Sequence, residues 1–351
     1  MNNSTVSIPE LVLNAWGLND GSWTIIPFGT GLINHTWKLE QNNTALILQR
    51  INQHVFRNAN DIAHNMEAMR LFLQAHHPDY LFVAPIPTLK DQPMCYVAGE
   101  GYYRVFPFVR GSRTIDVVHT PAQAYEAARQ FGLFTRLLNN LPAQELRLTI
   151  PGFHDLTLRY QQFLTAIETG NRLRIRESEE LIKKLISFSG IVTRFEAIRR
   201  NSDFRLRVIH HDTKISNVLF DNNDAAICVI DLDTVMPGYF ISDLGDMMRT
   251  YLCPVSEEEK NIERITVRED FYRAIVDGYL SEMKAVLSEP EQQHLFYSGQ
   301  FMIYMQGIRF LTDHLQNDAY YGAAYPGHNF HRARNQITLL ERLTEKEAAW
   351  K

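Results

Sequence analysis

Val208-Ile209-His210-His211-Asp212-Thr213-Lys214-Ile215-Ser216-Asn217, followed at a short distance by Val229-Ile230-Asp231-Leu232-Asp233, is the stretch that decides the fold. Arg207–His210 reads as a short apolar strand whose exit loop presents Asp212. Asn217–Asp221 and Ala226–Asp231 flank Asn222-Asn223-Asp224, a turn-forming cluster, so the pair reads as a hairpin. That hairpin returns Asp231 beside Asn217, and three oxygen-bearing side chains converge. Mg²⁺ takes one or two carboxylates, an amide oxygen and substrate phosphates, which suits Asn217 and Asp231 as ligands. Asp212 then remains to orient a hydroxyl and accept its proton, and phosphoryl transfer needs little beyond positioning and charge neutralisation. A lone H-x-D is weak, because Asp and Asn are common in turns and caps and His210 would serve as a core histidine. The full H-x-D-x(4)-N with an apolar hairpin ending in I-D is decisive, since each element has its own mechanical task.

Outward from this string the chain changes character. Ser22–Phe28, Ile33–Gln41 and Thr44–Ile51 read as strands, the last two joined by Asn42-Asn43. Asn60–Ala75 carries apolar residues at helical spacing, and Leu81–Val109 returns to short strands broken by Pro85, Pro87 and Pro93. Pro121–Leu141, Thr157–Ile167, Ser178–Arg200, Arg268–Leu287 and Glu291–Gln316 read as helices, and Glu341–Lys351 as a solvated helix end. A β-rich first third before a helical remainder predicts an α+β, two-lobed chain joined near Phe106–Ser112, with residues 1–108 and 109–351 as the lobes.

Composition narrows the class. The 351 residues are 45% hydrophobic and 21% charged, which excludes long-range disorder. Thirty-five Lys+Arg against 40 Asp+Glu give a net charge of −5, which argues against a nucleic-acid binder. No apolar run is long enough to cross a bilayer, and the N-terminus lacks the basic and apolar regions of a secretory signal. A cytoplasmic protein without a membrane partner is expected. Cys95, Cys228 and Cys253 have no paired spacing and read as small apolar side chains; the histidines show no zinc-ligand spacing.

The catalytic string resembles the aminoglycoside-phosphotransferase and choline-kinase superfamily, which has a protein-kinase-like bilobal fold: a small β-rich lobe with one helix and a larger helical lobe. The resemblance implies Asp212 as catalytic aspartate, Asn217 and Asp231 as metal ligands, and ATP with Mg²⁺ as cofactors. Asp243 matches a brace of the catalytic loop, with a helix N-cap as the alternative. Within the superfamily, His210-x-Asp-Thr-Lys-x-x-Asn217, Ile230–Gly238, Asp243-x-Gly-Asp246, Gly307–Leu311 and Tyr325-Pro326-x-His328-Asn329 are similar to N-acetylhexosamine 1-kinases. So are Gly29-x-Gly31-x-Ile33-Asn34 and Phe153-His154-Asp155, so the likeness spans nearly the whole chain.

Supporting parts follow from that frame. Gly29 and Gly31 lie where a kinase loop covers the phosphates, and glycine permits close backbone approach. Leu32 stands where the resembled enzymes often carry His. Gln49 occupies the place of the phosphate-binding Lys; it can hydrogen-bond phosphate without neutralising it. Glu67 matches the usual partner of that Lys, a solvated helix residue being the alternative. Tyr103–Val109, with Phe106 and Phe108, resembles the inter-lobe segment that receives the nucleotide base. For the acceptor, the resemblance implies Arg309 and Tyr320 beside Asp212; a salt bridge to an acidic helix residue is the competing role for Arg309.

The expected activity is ATP-dependent phosphorylation of the anomeric hydroxyl of an N-acetylhexosamine by a monomeric enzyme. Other acceptors (aminoglycoside, choline-like alcohol, another sugar) and a non-catalytic nucleotide- or sugar-binding role are the rivals. Ile230-Asp231-Leu232-Asp233-Thr234 also invites comparison with the aspartate signature of haloacid-dehalogenase-type phosphatases, but it lies behind a β-rich lobe, and Gly245-Asp246 follows too soon for a βαβ segment. That reading is rejected.

Overall fold

The computed structural model describes residues 8–29 and 33–350. The N-terminal lobe is a five-stranded antiparallel sheet of β1 (Thr24–Pro27), β2 (His35–Gln41), β3 (Thr44–Arg50), β4 (Cys95–Val97) and β5 (Gly101–Pro107), ordered β1-β2-β3-β5-β4. The β2–β3 turn forms as expected, with Asn42 at positive φ, a conformation its short polar side chain tolerates. Strand alternation gives the sheet two faces. Trp37, Leu39, Leu48, Tyr103 and Val105 pack against Val12, Trp16 and Leu18 in one small core. The short helix Glu10–Ala15 that supplies Val12 adds a second helix to this lobe, where one was expected.

On the other side lies the helix Ala59–His76, capped by the Asn58 side chain and burying Ile62, Met66, Met69 and Leu73 at helical spacing. Asn65 on the same face is fully buried. It donates to Arg147 O at 2.8 Å and Val235 O at 2.9 Å, and accepts from Arg147 N at 2.8 Å. A side chain of the first lobe thus satisfies backbone groups of the second.

The second lobe is helical, built around Leu295–Leu315, with Leu156–Thr169, Ile241–Tyr251 and His328–Thr344 packed on it. Pro121–Leu137 runs against Glu269–Met283, where Gly278 brings its backbone onto Tyr125 O so closely that a Cβ would clash. Two small sheets are set among the helices: β6 (Arg207–Ile209) with β9 (Met236–Gly238), and β7 (Val218–Phe220) with β8 (Ala226–Val229).

Several boundaries differ from expectation for identifiable reasons. The helix expected over 178–200 is two, Glu179–Ser187 and Gly190–Arg200, parted at Phe188-Ser189, where Ser189 and the following Gly190 are both poor interior residues. The helix expected from Glu291 begins at Leu295, because Glu291 closes a capping box with Ser288 and binds Arg207 at 2.6 Å. Residues 81–94 form no strand of the sheet, since their prolines remove ladder donors. The C-terminal stretch is not simply solvated: Leu343 is buried and Trp350 stacks on Tyr272 at 4.8 Å.

Candidate active site

The loop after β6 is held from below by the helix Ile241–Tyr251. Asp243, fully buried in its first turn, accepts His210 N at 2.9 Å and His211 N at 2.7 Å. It braces the loop rather than capping its own helix. Burial pushes its carboxyl up to about 6, against the pull of His210. Asp246 accepts Thr213 N at 2.8 Å and pairs with Arg249 at 2.9 Å. His210 lies edge-on to Phe131, bonds Ile230 O through Nε2 at 3.0 Å, and through Nδ1 accepts Asp212 N at 3.3 Å. Its carbonyl also receives Thr234 Oγ1 at 2.7 Å, which ties the loop to the β8–β9 turn.

These braces bring together the three residues expected to carry the chemistry. Asn217 Nδ2 donates to the Asp212 carboxylate at 3.0 Å and to its backbone oxygen at 2.9 Å. Lys214 Nζ lies 2.9 Å from Asp212 and 4.0 Å from Asp231. Burial alone would raise the Asp212 carboxyl, yet the Lys214 charge together with the hydrogen bonds from Lys214 and Asn217 and the influence of His210 outweighs it and holds the group below its ordinary value. Asp231 sits at φ 60° and is pushed up to about 6 by burial, with the Asp233 charge adding to it. Among the described residues no cluster of three His, Cys, Asp or Glu side chains forms a closed metal cage. The donors fit a different case: one amide oxygen and one carboxylate, leaving the remaining positions to phosphate and water, as Mg²⁺ prefers.

Gly29 has φ 81° with open space where a Cβ would stand. Gly31 and Leu32 lie outside the described residues. Gln49 faces the cleft side of the sheet, where its Oε1 accepts Arg104 Nη2 at 2.9 Å and its Nε2 donates to Thr36 at 3.3 Å. Glu67 does not reach Gln49. Asn65, Met66 and Met69 occupy the inward face of its helix, and Glu67, 54% exposed, pairs with Arg70 at 2.6 Å. Phe106 is buried with the Arg104 guanidinium 4.9 Å from its ring. The Phe108 ring meets Phe28 edge-on and lies 4.3 Å from Lys38 Nζ, and its N–H is used by Ala45 O.

On the acceptor side, Arg309 bonds Gln306 at 3.1 Å and lies between 5.3 and 5.9 Å from the rings of Phe153, Tyr321 and Tyr320. No carboxylate among the described residues forms the salt bridge weighed for it. Tyr320 is 65% exposed, and its loop is pinned by buried Asp313, which accepts Tyr320 N at 2.7 Å and Tyr321 N at 3.0 Å. His154 stacks on Phe153 and meets His211 at 3.2 Å; burial holds both imidazoles below their ordinary pKa, His211 down to about 3. Arg159 is depressed by burial and then by the nearby Arg309 charge.

Four participants were missed from the sequence: Lys214, Asn34, Arg104 and Asp233. Lys214 stood inside the quoted string, and a charged residue within apolar Tyr102–Phe108 was the available signal for Arg104. Asn34 donates to Asp233 at 2.8 Å.

A family model described as a phosphotransferase enzyme family matches residues 24–286. The microcompartment-associated aminopropanol kinase superposes with a TM-score of 0.66 at 17% identity, covering 96% of this chain and 97% of its own. An aminoglycoside phosphotransferase from Alicyclobacillus acidocaldarius gives 0.61 at 12%, covering 97% and 96%. A choline kinase from Cryptosporidium parvum gives 0.54 at 13%, covering 95% and 92%. These likenesses establish the kinase-like α+β fold, and with the family match over most of its length the chain belongs to the phosphotransferase enzyme family, as a small-molecule kinase.

Proposed function

We propose that the protein transfers the γ-phosphoryl group of ATP to the anomeric hydroxyl of an N-acetylhexosamine, giving ADP and the sugar 1-phosphate. The observation that carries the phosphotransfer is the convergence of Asp212, Lys214, Asn217 and Asp231. Asp212 orients the sugar hydroxyl and takes its proton as O1 bonds to phosphorus and the bond to the ADP oxygen breaks. Its lowered basicity suits a reaction in which the proton leaves late, when the attacking oxygen has become acidic. Lys214 brings a positive charge beside the transferred group. Asn217 and Asp231 would hold Mg²⁺, which supplies neutralisation of phosphate charge.

Support for a neutral sugar comes from the acceptor side. Arg309 and Arg159 lie together among aromatic rings, and although Asp155 stands near Arg159, no carboxylate among the described residues pairs with Arg309, an arrangement that disfavours cationic aminoglycosides and choline. The reading includes a monomeric cytoplasmic enzyme, with residues 1–108 holding nucleotide and 109–351 supplying catalysis and acceptor. Its test is ADP release from Mg-ATP with N-acetylglucosamine, N-acetylgalactosamine, choline and kanamycin, against Asp212→Asn as blank. Turnover confined to the amino sugars is expected. Turnover with choline or kanamycin alone would keep the chemistry and discard the acceptor.

A further inference from the structure

The strand that usually supplies a phosphate-binding lysine has none here, and the helix glutamate that would pair with it points to solvent. The same space is not left unorganised. In-register pairing sets Thr36 of β2, Gln49 of β3 and Arg104 of β5 side by side on the cleft face. Arg104 is among the largest fully enclosed side chains, with ion-pair partners each only 2% exposed. Its Nη1 lies 2.6 Å from Asp233 Oδ1 and its Nη2 2.9 Å from Oδ2, while Nε and Nη2 also reach Gln49 Oε1 at 3.2 and 2.9 Å. Asp233 accepts Asn34 Nδ2 at 2.8 Å as well, and Asn34 Oδ1 in turn accepts Asn52 N at 3.0 Å. One carboxylate therefore joins the sheet, the residue closing the glycine loop, and the turn Leu232–Thr234 that follows Asp231.

We propose that the Arg104–Asp233 pair is a clasp between the lobes that replaces the missing lysine–glutamate pair, with Arg104 a positioning residue for the metal site. The pair lies at the right place for this. Asp231 must hold a left-handed backbone, an unfavourable state for a non-glycine residue, and persists in it only if its surroundings fix it. Two residues on, Asp233 is fixed by the buried Arg104 guanidinium, through one hydrogen bond from Nη2 to Oδ2 and a close charged contact of Nη1 with Oδ1, and by the hydrogen bond from Asn34, so it is held from two elements at once. Because Asp233 neutralises Arg104, this arginine is not free for phosphate; its contribution is to set where the Asp231 carboxylate stands. The clasp rests on the phosphotransferase reading above.

The test is calorimetric titration of the full chain with ADP, with and without MgCl₂, comparing the native protein with Arg104→Met and with the double variant Arg104→Met/Asp233→Leu. Removing one partner of a buried pair is strongly destabilising, whereas replacing both by apolar residues of similar volume is tolerated, so the double variant keeps a folded sample in hand. In the folded variants the gain in ADP affinity from Mg²⁺ should shrink by about 10–100-fold, the range found when groups supporting a metal ligand are removed, with Mg²⁺-free affinity unchanged. An undiminished gain in a folded variant would show a merely structural pair and overturn the clasp. No Mg²⁺-dependent gain in the native protein would instead defeat the phosphotransferase reading beneath it.

Discussion

Asp212 acts through its surroundings as much as through its own carboxylate. Asn217 and Lys214 donate hydrogen bonds that favour its ionised form, which suits the hydroxyl-orienting role proposed for it. Asp212→Asn keeps the shape and removes the proton acceptor: kcat should fall by about 10²–10⁴-fold with an unchanged circular-dichroism spectrum. Asp231 presents the opposite electrostatics. Its carboxyl, held at about 6, is ionised at pH 7.5 and protonates as pH falls through 6, so Mg²⁺-dependent ADP affinity should weaken below about pH 6. The sign for stability runs the other way, since the folded state binds this proton more tightly than the unfolded chain. Asp231 and Asp243 each favour folding at low pH and lose that contribution as pH rises through about 6. Calorimetric titration at pH 5.5 and 7.5 checks the first statement; equal affinities would contradict the assignment of Asp231 as ligand.

At the scale of elements, legibility tracked whether a residue's partner was near in sequence. The β7–β8 hairpin and the loop before it were readable because strand, turn and strand are contiguous and end in acids. The Arg104–Asp233 pair was not, since it depends on the register of β3 with β5 and on how one lobe sits on the other. Glu67 illustrates the same limit: its position on a helix was clear, but which face turns inward is set by Asn65, Met66 and Met69 together. The helices Ile241–Tyr251 and His328–Thr344 escaped for another reason. The second buries Asn329, Asn335 and Gln336 among its apolar residues, which blurs the stripe; the first does carry Ile241, Leu244, Met247, Met248 and Tyr251 at helical spacing, but Asp243 and Asp246 between them drew attention to the loop they brace. Asn65 is the prediction proper to this scale. Asn65→Ala should destabilise by about 1–3 kcal/mol, because Arg147 and Val235 backbone groups lose their buried partner. Urea unfolding reads it, and a midpoint equal to that of the native chain would show that the contact does not join the lobes energetically.

For the whole molecule, the proposed function draws on both lobes. The sheet carries the glycine loop and the polar row of Thr36, Gln49 and Arg104; the helical lobe carries Asp212, the pair Asn217 and Asp231 proposed to hold Mg²⁺, and the ring of aromatic side chains around Arg309. Arg309→Ala should raise KM for the acceptor by about tenfold or more, with kcat changed less, if the guanidinium binds substrate equally in ground and transition states. Initial-rate kinetics at saturating ATP separate the two constants, and an unchanged KM would remove Arg309 from the acceptor site. The most direct measurement of the central claim is phosphorus NMR of the product formed from Mg-ATP and N-acetylglucosamine. The account predicts a single sugar phosphate whose phosphorus couples to the anomeric proton; phosphate on any other hydroxyl, or no sugar phosphate at all, would contradict it.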